Sequence, residues 1–187
     1  MTRDSGFKRH VRDRARRTGE SYSTARAHMR RRSEEVDAEL VTRSAAPMVG
    51  RMHDRDPAVR KAVVPNLNRD QGTLIAFWML FAHSEDGMTG LCRVHPHRVI
   101  DPDFWTLLET GLREDDALLR ILARLRKQVA IASEHVADYS FLDRLDPAVM
   151  RELDTEFAAA MPGALHRMAD HIRRHPDRFS VAEVPAQ

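Results

Sequence analysis

Arg9, Arg12 and Arg16 recur at spacings of three and four, and Arg26 and Arg30 stand four apart. On a helix, such spacings put each set on one face. A guanidinium is always charged and meets phosphate oxygens with paired donors. Rows of arginine therefore suit phosphate neutralisation, the source of most sequence-independent nucleic-acid affinity. The cations are unevenly spread. Residues 1–32 hold eleven Lys and Arg against three acids, a net +8, whereas the remaining 155 residues hold 19 basic and 25 acidic groups, a net −6. Three of the thirty basic residues are lysine. A GC-rich genome explains that preference for arginine, but not the crowding at one end.

Metal binding is the second chemistry to weigh. His83, Cys92, His95 and His97 fall within HSEDGMTGLCRVHPHRVI, and imidazole and thiolate are zinc ligands. His95 and His97, two residues apart, could chelate only from extended backbone. There is no second cysteine and no HExxH. The preferred reading is surface histidine with no metal and no cofactor. A metal-dependent enzyme using the histidines of the 83–97 loop is kept as an alternative. Near the C-terminus His171 and His175 share a helical face, and His166 points away from them. No GxSxG, P-loop or GxGxxG occurs. The acid pairs Asp115–Asp116 and Asp154–Glu156 read as solvated surface, and Trp78 and Trp105 as core.

These residues must be positioned by helices. Period-two alternation is absent and apolar spacing is helical nearly throughout. The fold class expected is all-α: a bundle of about six to eight helices with an N-terminal basic helical hairpin. The first helix runs from Phe7 to Thr18, with Phe7, Val11, Ala15 and Thr18 on one side and Gly19 as its stop. Ser21 or Ser23 caps a second, which places Tyr22, Ala25, Met29, Val36 and Leu40 on one side. It is expected to run to about Ala45, before Pro47. Asp56-Pro57, Asp101-Pro102 and Asp146-Pro147 each read as a helix start, with a capping carboxylate and proline in the first turn. They lie 45 residues apart, and Leu67, Leu112 and Phe157 follow in register, but other apolar positions drift. Leu74 to Ala82 reads as a buried helix. Residues 82–101 form the longest irregular stretch. A helix over 115–137 carries a seam of Leu118, Leu122, Leu125, Val129, Ala132 and Val136, with Arg120, Arg124 and Lys127 as a solvated stripe. The last helix starts after Pro147, breaks or kinks at Met161-Pro162-Gly163, and ends at His175-Pro176.

At 187 residues the chain is long enough for one ordinary domain with an extension. The expected division is a basic helix-turn-helix-like arm over 1–45 and an acidic helical body over 46–187. One cysteine excludes an intramolecular disulfide and suits a reducing compartment. The start MTRDSGFKRH lacks the apolar core of a signal peptide, and the longest apolar run is too short for a bilayer span. A cytoplasmic location without membrane association is expected.

ARRTGESYSTARAHM resembles a bacterial helix-turn-helix core, with Ala15 four residues before Gly19 and Ala25 six after it. Glu20 departs from that pattern, which has an apolar residue there. HDRDPAVRKAVVPNL resembles a single HEAT-type helix start, with Val59 and Val63 inward. The C-terminal stretch LDRLDPAVMRELDTEFAAAMPGALHRMADHIRRHPDRFS resembles the end of a bacterial family of unknown function. That family is known for an acidic DNA-mimic protein that engages a transcription factor. Leu153-Asp154, Phe157, His175-Pro176 and Phe179 carry the likeness, and EDDALLRILARL resembles the family's penultimate helix. The family's upstream Asn-Gly-Gly-Phe is missing from MLFAHSEDGMTGL. The resemblance implies an all-helical, often dimeric, non-enzymatic regulator. A +8 arm argues against imitation of DNA.

The expectation is therefore a non-catalytic bacterial regulatory or interaction protein. Its partners would be DNA, met by residues 1–32, or a protein, with homodimerisation following from the family resemblance. Arg26 and Arg30 would be recognition-helix contacts, and Arg9, Arg12 and Arg16 would meet phosphates. A helix-pair scaffold docking an acidic protein is the alternative.

Overall fold

Gly19 adopts a φ of 70°, a left-handed conformation that glycine enters without steric penalty. It closes α1 (Arg3–Thr18) with its amide on the Ala15 carbonyl at 3.0 Å. Ser21 then caps α2 (Tyr22–Met52), its Oγ accepting the Thr24 N–H at 3.1 Å. The computed structural model describes residues 3–53, 63, 65–82, 86–112, 116–134 and 139–180. Among these the protein is all-α, with eight α-helices, two 3₁₀ turns and no strand. Six of the helices have ten residues or more.

The chain divides into two compact units, Met1–Glu39 and Leu40–Gln187, with the boundary inside α2. In the first, Val11 and Ala25 are buried, and Phe7, Ala15 and Met29 are half-buried. Tyr22 and Val36, expected on the packed side of α2, are 41% and 51% exposed. Farther along, the buried positions are Asp37, Val41, Ala45 and Met48. That face is rotated by more than a third of a turn from the Ala25 stripe, so a single apolar stripe does not describe the helix.

Pro47 does not end α2, which continues to Met52. Pro162 likewise lies inside an unbroken helix, Pro147–Arg174. A helical proline orphans the carbonyl four residues earlier. Those carbonyls belong to Arg43 and Ala158, and both prolines and both of these residues are exposed. Water can satisfy them, while Met48 on one helix and Met161, Leu165 and Met168 on the other stay buried.

In the second unit α3 (Arg69–Ala82) is covered on nearly every side, from Gln71 to Phe77 and at Leu80. Its start is a reciprocal capping box: Gln71 N–H donates to Asn68 Oδ1 at 2.9 Å, and Asn68 N–H to Gln71 Oε1 at 3.0 Å. Trp78 is half-buried, whereas Trp105 is buried and donates its indole N–H to the Val99 carbonyl at 2.8 Å. The stretch expected to be irregular holds two short helices, α4 (Gly87–Val94) and α5 (Pro96–Val99). Next come α6 (Pro102–Gly111), α7 (Asp116–Ser133), a 3₁₀ turn (Tyr139–Arg144), α8 (Pro147–Arg174) and a last 3₁₀ turn (Pro176–Phe179).

Helix α3 packs on α6, and α8 packs on both α4 and α7. The α7 seam is buried at Leu118, Leu122, Leu125, Val129 and Ala132, joined by Ile121. Val136 lies outside the described residues, as do Asp115, Asp56-Pro57 and Val59. Val63, from the HEAT-like start, is buried. Asp146 caps α8 through the Ala148 and Val149 amides at 2.8 and 3.4 Å, and His175 terminates it. No helix among the described residues is long and apolar enough to cross a membrane.

Candidate nucleic-acid interface

The arginines of the first unit are placed by the hairpin's inner contacts. Phe7, Val11 and Ala15 fix which side of α1 is covered. At 100° per residue, Arg9, Arg12 and Arg16 fall on the opposite side, and all three are exposed. On α2, Arg26 and Arg30 lie about 100° and 140° around the helix from Ala25, and both are exposed. None of the five side chains forms an ion pair or hydrogen bond with another described residue. The two rows are thus individually open.

Glu20, the departure from the helix-turn-helix pattern, holds the turn. Arg14 Nε donates to its Oε1 at 2.7 Å, and the Thr18 hydroxyl donates to the same oxygen at 2.7 Å. His28 Nδ1 lies 2.8 Å from Glu20 Oε2 and 3.2 Å from Arg14 Nη2. The Thr18 hydroxyl, against the penalty of partial burial, and then Arg14 and His28 hold the Glu20 carboxyl below the usual carboxylate range. One acid thereby ties α1, the turn and α2 together. Arg14 is turned inward to serve it, which separates Arg14 from the outward row of Arg9, Arg12 and Arg16.

Arginines of the second unit are used differently. Arg124 pairs with Glu152 at 3.0 Å and with Glu156 at 2.6 Å, which links α7 to α8. Arg126 pairs with Glu109 at 2.7 Å. The stripe expected as merely solvated is therefore in part a set of inter-helix ties. Acids engaged in this way are poorly disposed to stand in for DNA phosphates.

The described metal candidates, Cys92, His95 and His97, belong to no group that could hold a metal ion. Cys92 is fully buried in α4, and burial, followed by the nearby Asp154 charge, pushes its thiol up to about 12. Such a thiol stays protonated and is a poor ligand. The His95 and His97 rings meet edge to face with centroids 6.0 Å apart. His83 lies outside the described residues. Among those described, no group of three or more His, Cys, Asp or Glu could hold a metal ion.

Two polar clusters in the body escaped the sequence. Asp154, expected as solvated surface, is half-buried and accepts the Thr89 N–H at 3.1 Å and the Thr89 hydroxyl at 2.8 Å. It caps α4 from another helix, while Asp86, at the N-cap position itself, makes no side-chain cap. Gly87, at a φ of 66°, lets it approach, since a Cβ there would fall 2.4 Å from Asp154 Oδ1. Asp70 gathers His171 at 3.0 Å and Arg178 at 3.3 Å. Burial opposes its ionisation, but His171 and then Arg178 outweigh that and hold the carboxyl low. The His175 ring lies 5.1 Å from that of His171. Both clusters join helices of the second unit.

Comparison with family models, with curated proteins and with solved structures found no match for this chain.

Proposed function

We propose that this chain is a non-catalytic regulatory protein that contacts nucleic acid through its N-terminal helix pair. One observation carries the reading. Arg9, Arg12, Arg16, Arg26 and Arg30 are exposed and have no counter-charge among the described residues, while Arg14 of the same hairpin, and Arg124 and Arg126 of the body, are engaged by carboxylates. Charge left uncompensated on a hairpin braced by Glu20 favours an external polyanion. The likeness of residues 15–29 to a helix-turn-helix core supports the same reading, as does the regulatory character implied by the C-terminal resemblance.

The test is titration of a short duplex at several salt concentrations. Each neutralised phosphate contributes about −0.9 to the slope of log K against log salt. Five contacts would give a slope near −4.5, and one row alone about −2 to −3. Replacing Arg9, Arg12 and Arg16 together by Gln should reduce the slope by up to about 3, and Arg26 with Arg30 by about 2. Absence of binding at about 50 mM salt, or a slope unchanged in both variants, would overturn the reading.

A further inference from the structure

Tyr22 opens α2 and remains 41% exposed. From it an open groove of about 670 Å³ follows the helix, lined by Tyr22, Ser23, Arg26, Ala27, Arg30 and Arg31, with Glu34 at its far end. Tyr22, Arg26 and Arg30 succeed one another at intervals of four residues, a rise of about 6 Å each. Ser23 and Ala27 are small and leave space between the larger side chains. Arg31 is spoken for by Glu35 at 3.3 Å, which leaves Arg26 and Arg30 as the open cations. The row thus begins with an exposed aromatic ring and continues as cations.

That order of chemistry separates two kinds of nucleic acid. A duplex keeps its bases stacked inside and offers this groove phosphates alone. An unpaired strand offers a free base for the ring as well as the phosphates that follow, the combination by which single strands are held. Glu34 repels a further phosphate, which confines the strand to roughly two helical turns. We infer that this groove takes a single-stranded nucleic-acid segment, with one unpaired base on Tyr22 and the next phosphates at Arg26 and Arg30. The inference rests on the nucleic-acid reading above and specifies its substrate.

The experiment is fluorescence anisotropy of the full chain with a labelled single-stranded DNA oligonucleotide, its RNA counterpart and the corresponding duplex. Tyr22→Ala should weaken single-strand binding between about fivefold and about a hundredfold, the range of one lost base stack. Tyr22→Phe keeps the ring and should stay within about twofold of the parent. Duplex affinity should move less than about twofold in both variants. The loss at Tyr22→Ala is required on whichever strand binds more tightly, DNA or RNA, and a tighter RNA would add a 2′-hydroxyl contact. Unchanged single-strand binding in Tyr22→Ala, an equal loss in Tyr22→Phe, or an equal loss on the duplex would overturn the inference. If the arginine variants weaken binding while Tyr22→Ala does not, the groove inference falls and the nucleic-acid reading stands. If nothing binds at about 50 mM salt, both fall. Unchanged helicity by circular dichroism shows that the variants remain folded, since Tyr22 is exposed at the helix's first position.

Discussion

A thiol, a carboxylate and a glycine show how residues of this chain acquire roles that their identity does not announce. Cys92 sits among histidines in sequence, which invites a ligand role. Its position on the buried face of α4 beside Asp154 gives it the opposite character. With the thiol pushed up to about 12, its thiolate fraction at pH 8 is on the order of a thousandfold below that of a free cysteine. Shielding by the fold slows attack further. Labelling by a disulfide reagent at pH 8 should therefore be slow in the native protein and should reach one equivalent promptly in denaturant. Fast labelling of the native chain would mean that Cys92 is not enclosed as described. Asp154 makes the complementary point. It was legible as an acid on a helix, but its partner Thr89 is 65 residues away, and no local pattern connects them. Gly87 carried the available hint, because glycine is the residue that suits a left-handed backbone or the close approach of another group.

At the scale of the element, periodicity was readable and termination was not always. The α7 seam followed from spacing because burial of a helix face is a local pattern. Pro47 misled as a helix stop, and the helix does not break at Pro162, because the cost of a helical proline depends on which way the freed carbonyl points. The hairpin turn combines both cases. Gly19 and Ser21 are punctuation that the sequence displays openly, whereas the grip of Glu20 on Arg14, Thr18 and His28 depends on two helices meeting. This grip has a pH signature. The folded Glu20 carboxyl is held below its ordinary value of 4.5. Its contribution to stability is then fully present above the unfolded value and is lost as pH falls through the folded one. Glu20→Gln should weaken the hairpin at pH 7 and should flatten the fall in hairpin stability between about pH 5 and about pH 3. Amide-exchange protection across residues 22–30 against pH, for parent and variant, measures both effects. Parallel curves for the two proteins would deny Glu20 that role.

Across the whole molecule, apolar material and charge are unevenly shared between the two compact units. In Met1–Glu39 the buried residues among those described are Val11, Ala25 and Asp37, whereas Leu40–Gln187 holds the long list from Val41 through Phe179. The uneven charge was plain in the sequence, and so was the all-helical class. The division inside α2 was not, because a continuous helix carries no punctuation at the point where its surroundings change. Local stability follows buried apolar contact, so amides of α1 should exchange by local opening well below the global limit, while those of α3 and α8 should be the slowest. A ligand that binds the folded hairpin slows its opening by mass action. At a free concentration about a hundredfold above Kd it adds about 2.7 kcal/mol, or roughly a hundredfold in protection. Saturating nucleic acid should therefore slow exchange across residues 7–31 by up to that factor and leave α3 and α8 unchanged. Hydrogen exchange read by mass spectrometry, with and without the oligonucleotide, resolves the two regions. Protection that rose in α8 and not in α1 would place the contact on the body and remove the basis for an arginine-borne interface.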